Sequence, residues 1–365
     1  MEDHPVNDTK KSLYTWTILA IVLILTVASL ILAMVISPGR DRADSSTHLS
    51  AQSINSPEQL PSDLVKTKIV FRKRQDGSNW LYLTNLGGPT IEDNLVKLNG
   101  SDPELSPEAE YLVYRLLRDT SEEGNDKESD YRSSIWIRDL SDGTEREIIL
   151  WPERFEVENI GLPNFFPSGD KLIFSNTKFD TNQYNLATIN LDGSNLEIIE
   201  TKPNTFNELP AISPDGEKIL VACEGFDADS GEWGFWMLCI MNLDGSERIL
   251  LTNDGDNHGL GIFSPDSQTI FFSEIDWGGL LGLIDKPRYE LKSNSIDGNN
   301  LLTILDWRWP FTLLAISEDG GEMVFMESPQ DETPPRLYVV QTNGENLRHL
   351  TYFDDFLEEW YAEAE

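Results

Sequence analysis

Two turn phrases alternate from about residue 68 to the C-terminus, and they constrain the fold more than any other feature of the chain. The first phrase is Asn190-Leu191-Asp192-Gly193-Ser194, repeated as Asn242-Leu243-Asp244-Gly245-Ser246. Weaker copies end at Gly88, Gly143, Gly298 and Gly344, so the turn glycines are spaced by 55, 50, 52, 53 and 46 residues. The second phrase is Ser213-Pro214-Asp215-Gly216, echoed by Ser264-Pro265-Asp266-Ser267, Ser106-Pro107, Pro167-Ser168-Gly169 and Ser317-Glu318-Asp319-Gly320. Asp-Gly and Pro-Asp pairs are hairpin-turn chemistry.

Short apolar runs flank every turn. Lys218-Ile219-Leu220-Val221 and Thr269-Ile270-Phe271-Phe272 follow the Pro-Asp type, and Ile249-Leu250-Leu251 follows the Leu-Asp-Gly type. Each repeat therefore reads as four antiparallel strands, and four-stranded units at this period specify a β-propeller. The first unit lacks an innermost strand, whereas Asp355 to Tyr361 follows a finished sixth unit. The expectation is an all-β, six-bladed propeller of four-stranded blades. The C-terminal strand would close the ring in the first blade and place Trp360 beside Ile69.

The alternation of Ser-Pro-Asp-Gly-x-x-Ile with Met-Asn-Leu-Asp-Gly-Ser resembles the TolB-type (WD-like, or PD) propeller repeat. The match is best at 208–252 and 258–305 and extends over about 68–365. The repeats at 102–151 and 159–200 have lost the full Ser-Pro-Asp-Gly, and no TolB-type N-terminal α/β domain precedes the propeller. The resemblance implies an exported domain, either free-standing or fused to other modules.

The N-terminus reads as a membrane anchor. Between Lys11 and Arg40 lie 28 uncharged residues, and the apolar run Leu13 to Ser37 is 25 residues long, enough to span a bilayer as a helix. A signal-peptide core is shorter and ends at a small-residue cleavage site, which Ala33-Met34-Val35 does not supply. The resulting plan is a cytoplasmic head (1–12), a transmembrane helix (13–37), a flexible linker (38–66) and a propeller (67–365). Two basic residues flank the span on each side, so charge bias leaves the orientation open. The family resemblance places the propeller outside the cytoplasm.

Composition bears on partners. With 28 Lys+Arg against 63 Asp+Glu the net charge is −35, which excludes a nucleic-acid-binding surface. Cys223 and Cys239 fall on the second and third strands of one blade, either as free thiols or, outside the cytoplasm, as a cross-strand disulfide.

Connections on the face opposite the tight turns vary in length and are rich in acid: 118–132, 176–183, 224–234, 273–289 and 327–335. Variable loops on a rigid scaffold are where binding resides. The expected binding face comprises Asp227, Asp229, Trp233, Asp254, Asp256, His258, Asp276, Trp277, Trp307 and Trp309. A protein partner or an envelope component fits this face. The chain carries no G-x-S-x-G elbow, and only His258 and His349 lie in the ring, too few for the histidine-rich metal site of oligogalacturonate-lyase-like propellers. No cofactor is expected. Asn253-Asp254-Gly255-Asp256-Asn257 is oxygen-rich enough for Ca²⁺ but falls short of a complete calcium loop. The sequence thus favours a non-catalytic binding or scaffold module. The alternative is an enzyme acting on polysaccharide or peptide at the propeller mouth.

Overall fold

A computed structural model of the protein describes residues 51–75, 78–88, 95–98, 101–119, 131–149, 159–178, 183–199, 205–227, 232–233, 237–252, 257–258, 261–276, 288–307, 310–329, 333–354 and 357. The chain enters through β1 (Gln52–Ile54), a 3-10 turn (Pro57–Gln59) and a short helix, α1 (Ser62–Lys66). Antiparallel sheets then follow in chain order. The first holds β2 (Lys68–Gln75), β3 (Ser78–Asn85) and β4 (Leu95–Leu98). The second holds β5 (Ser101–Leu105), β6 (Tyr111–Asp119), β7 (Tyr131–Asp139) and β8 (Glu145–Ile149). The third holds β9 (Asn159–Ile160), β10 (Asn164–Phe165), β11 (Lys171–Lys178), β12 (Gln183–Asn190) and β13 (Glu197–Ile199). The fourth holds β14 (Thr205–Ile212), β15 (Lys218–Asp227), β16 (Glu232–Trp233), β17 (Met237–Asn242) and β18 (Ile249–Leu250). The fifth holds β19 (Asn257–His258), β20 (Ile262–Phe263), β21 (Thr269–Asp276), β22 (Arg288–Ser295) and β23 (Leu302–Trp307). The sixth holds β24 (Phe311–Ile316), β25 (Glu322–Glu327), β26 (Arg336–Gln341) and β27 (Arg348–Leu350).

Apolar cores lie between sheets, as packing of successive blades requires. Val113 and Ile137 meet Leu172 and Phe174, and Ile173 and Leu186 meet Ile219 and Val221. Leu220 and Ile240 meet Ile270 and Phe272, and Phe271 and Leu291 meet Phe325 and Val340. A further cluster joins Val324 and Val339 of the last sheet to Ile69 and Leu86 of the first, so the succession closes on itself.

The turns behave as their chemistry dictates. Gly193 and Gly245 take φ of +82° and +80°, the left-handed region that side chains avoid. Asp192 accepts the Ser194 hydroxyl and backbone N–H at 2.5 and 2.8 Å. Those bonds, the hydroxyl first, hold its carboxyl below the usual carboxylate range. The Asp-Gly repeats are therefore structural punctuation.

Ring closure differs from expectation. Among the described residues, five sheets are complete four-stranded blades and the first has three strands, in place of six complete blades. Among the described residues after β27, Thr351–Phe353 is a 3-10 turn, and Asp354 and Leu357 are helical where a strand was expected to begin. Phe353 and Leu357, four residues apart, are both fully buried in the seam between last and first sheets. That spacing is the helical one. Asp355, Phe356 and 358–361, including Trp360, lie outside the described residues.

From Ala51 onward the segment read as linker is folded. β1 adds in parallel to the outer edge of β27, and Leu60 and Leu64 are buried in the closing seam. Residues 1–50, including the expected transmembrane helix, lie outside the described residues, among which no helix is long and apolar enough to cross a membrane.

Cys223 on β15 and Cys239 on β17 are joined, with Cα atoms 5.8 Å apart, and the bridge is buried. Of the two readings left open by the sequence, the structure takes the disulfide.

Candidate functional site

The inner strands of the second, third and fourth sheets carry Glu104, Asn164 and Glu208, and Arg115 on the second strand of the second sheet joins them in one polar group. Glu104 lies on β5, two residues before the Ser106-Pro107 turn. Asn164, on the inner strand of the next sheet, donates its Nδ2–H to Glu104 Oε1 at 3.2 Å. Glu104 keeps some accessible surface yet is surrounded by protein, and that desolvation pushes its carboxyl up to about 7.

Glu208 on β14 is likewise pushed up by burial, and the charge of Arg115 opposes the shift. The residue after it, Leu209, has φ of +54°, at a register shift between Glu208 and Ala211. Among the described residues, the other non-glycine residues with positive φ sit in or just after turns. A bulge inside a strand re-aims a side chain, and local backbone strain of this sort gathers at functional sites.

Arg115 on β6 is held from the neighbouring sheet. Its Nη1–H donates to the Ile160 carbonyl at 3.2 Å. Ser133 Oγ donates to the same carbonyl at 3.2 Å and accepts the Ile160 N–H at 2.8 Å. Just beyond, Gly161 donates its N–H to the Ser175 carbonyl, and a Cβ at Gly161 would stand 1.8 Å from Ser175 Oγ. Only glycine allows this approach, which splits the inner strand of the third sheet into β9 and β10. By contrast β24, the inner strand of the sixth sheet (Phe311–Ile316), contains no ionisable residue.

These four residues escaped the sequence reading. Glu104 and Glu208 sit on strands that precede Ser-Pro turns, which is the inner-strand position in every unit. An ionisable residue in that phase was the available signal.

The backbone positions of half the expected binding-face residues are described. Asp227 stands opposite Glu232, and Phe226 opposite Trp233, in a hairpin extension of the fourth sheet. His258 pairs with Glu274, Asp276 ends β21 opposite Arg288, and Trp307 ends β23 opposite Tyr289. Five expected residues, Asp227, Trp233, His258, Asp276 and Trp307, thus lie at strand ends of two adjacent blades, away from the Asp-Gly turns. Asp229, Asp254, Asp256, Trp277 and Trp309 lie outside the described residues.

Beneath these ends sits a buried charge network. Lys292 Nζ pairs with Glu274, and with Glu290 Oε2 at 3.1 Å. Both glutamates are 5% exposed. Burial alone would lower the Lys292 ammonium, but the hydrogen bonds it donates to the two carboxylates outweigh it and raise it. Register explains the arrangement: Glu274 and Glu290 are cross-strand partners, and Lys292 lies two residues along on the same face. Among the described residues, no group of three or more His, Cys, Asp or Glu is placed to hold a metal ion.

No protein-family model matches the sequence, and no curated protein matches it either. Solved structures do match in fold. TolB from Acinetobacter baumannii aligns with a TM-score of 0.54 at 16% identity, covering 80% of this chain and 64% of that one. Oligogalacturonate lyase from Vibrio parahaemolyticus aligns with a TM-score of 0.51 at 17% identity, covering 82% and 76% respectively. The tricorn protease aligns at 0.50 and 11% identity, covering 78% of this chain and 29% of the protease. This chain therefore spans somewhat under two thirds of the Acinetobacter TolB. At these identities the likeness establishes a TolB-like β-propeller fold, shared by proteins named as enzymes and by TolB.

Proposed function

We propose that the chain is a non-catalytic β-propeller binding module, held at a membrane by its N-terminal apolar segment and presented outside the cytoplasm. Its partner is a protein or an envelope component engaged by the acidic loop face of the fourth and fifth blades. One observation supports the reading: Asp227, Trp233, His258, Asp276 and Trp307 all lie at strand ends of two successive blades, and the Glu274–Lys292–Glu290 network lies on the same strands of the fifth. The Cys223–Cys239 disulfide supports an oxidising compartment.

The test is chemical cross-linking of the full chain in its native membrane, comparing wild type with an Asp227→Asn, Asp276→Asn variant. The reading expects a cross-linked species that the variant loses while its circular dichroism is unchanged. Retention of the same species by the variant overturns it. Protease protection of the propeller in intact cells overturns the placement outside the cytoplasm.

A second reading rests on Glu104. A carboxyl poised near neutrality beside Asn164, with Glu208 on a neighbouring inner strand and the charge of Arg115 acting on it, suits general acid–base work on a polysaccharide or peptide. Turnover of either substrate class that disappears in Glu104→Gln would favour the enzyme.

A further inference from the structure

Among the described residues, the first sheet has three strands where a complete blade has four. β2 stands where the second strand of a complete blade stands: it approaches β5 of the next sheet, as β11 approaches β14 and β21 approaches β24. Among the described residues, however, no strand pairs with the edge of β2 opposite β3. The described residues ahead of β2 are used elsewhere, with β1 on the sixth sheet and α1 leading into the seam.

That edge is suited to accept a strand. β2 pairs with β3 over 8 residues without a register shift. It contains neither Pro nor Gly, so every residue offers an N–H and a C=O, and alternate residues turn theirs to the open side. Natural edges are usually blunted by bulges, prolines or short length; this one is long and regular. Its sequence is also exceptional for this chain. Lys68, Arg72, Lys73 and Arg74 lie on β2 with no acidic residue among them, in a protein of net charge −35. A basic edge disfavours pairing with another copy of itself and favours an acidic strand. Strand addition is already used once in this fold, where β1 joins β27.

We propose that the open edge of β2 is a docking site for an extended, acidic peptide segment of a partner protein, which enters as the innermost strand of the first blade. Main-chain hydrogen bonds would supply the affinity and the charge of β2 the selectivity. This site is separate from the loop face, and the inference does not rest on the reading of that face.

The chain's own last residues, 358–365, read Glu-Glu-Trp-Tyr-Ala-Glu-Ala-Glu and share this chemistry, so the test includes a chain ending at Leu357. The probe is a fluorescent, end-blocked peptide of alternating Glu and Val, matched to β2 in length and titrated by anisotropy. Saturable binding to the full chain is expected, and binding ~10-fold or more weaker for a peptide of equal charge carrying two prolines, which cannot complete the ladder. The Arg74→Gln variant should also bind more weakly. Because that variant could be compromised in folding, amide exchange is measured on the wild type as well: protection confined to β2 on peptide addition supports the site. Equal binding of the proline peptide overturns it. So does the absence of binding, or binding that appears only in the chain ending at Leu357, which would assign the edge to the protein's own terminus.

Discussion

Tyr352 donates its hydroxyl to the carbonyl of Leu86 at 2.5 Å, across 266 residues of sequence. The bond ties the end of the last sheet to the first, and Phe353 beside it is fully buried with Leu64, Ile69 and Leu350. Ring closure thus rests on a short helical turn. Phe353→Ala should lose about 3–5 kcal/mol in denaturant unfolding, as truncation of a buried aromatic does. Tyr352→Phe should lose about 1 kcal/mol. Equal, small losses for the two would show that the turn does not close the ring.

Glu104 makes stability depend on pH. Its folded value of about 7 lies above its ordinary 4.5, so the folded chain holds this proton more tightly than the unfolded chain. The stabilisation is fully present below the unfolded value and is lost as pH rises through about 7. The loss is at most ~3 kcal/mol, less to the extent that water reaches the group. Glu104→Gln should flatten this part of the profile and raise the melting temperature above neutral pH. A profile unchanged by the substitution would refute the assignment.

Gly161 and Ser175 should be coupled. Gly161→Ala forces a methyl against Ser175 Oγ and should cost about 1–3 kcal/mol. Ser175 Oγ is buried without a hydrogen-bond partner, so Ser175→Ala alone should be close to neutral. In the double variant the nearest remaining contact of that methyl is Ser175 Cβ at 3.1 Å, and part of the loss should return. A double-mutant cycle in urea measures this; strict additivity would contradict the packing.

Lys292→Met should be among the most damaging single changes away from the seam. It leaves Glu274 and Glu290 buried without their cation, at about 3–5 kcal/mol. Adding Glu274→Gln and Glu290→Gln should recover most of the loss, because the uncompensated charges go with it. Reducing Cys223–Cys239, which closes a 16-residue separation, should cost about 3 kcal/mol, and alkylation followed by mass analysis reports the bond directly.

The blade repeat was legible because turn chemistry is local. Asp192 or Ser213 satisfies its neighbours within five residues wherever the turn occurs, so the same letters recur at each blade. The seam was not legible, because its signals are tertiary. β1 is three residues whose strand character comes entirely from β27, and nothing in Gln52-Ser53-Ile54 announces a partner almost 300 positions away. Phe353 and Leu357 have helical spacing, but Phe356 beside Leu357 lends itself equally to an extended reading. Glu104 and Glu208 were lost among 63 acidic residues. Their place on strands ahead of Ser-Pro turns was a faint signal, and the burial that sets them apart is a property of the ring.

The parallel pairing of β1 with β27 also decides how the molecule meets mechanical load. Any tension arriving through the residues before Ala51 reaches three ladder positions on the rim of the sixth sheet before it reaches the ring. Behind them stand Leu60 and Leu64 in the closing seam, so a tug that strips β1 next loosens the junction of first and last sheets. The propeller would yield by unzipping at that junction, with its five complete blades still intact.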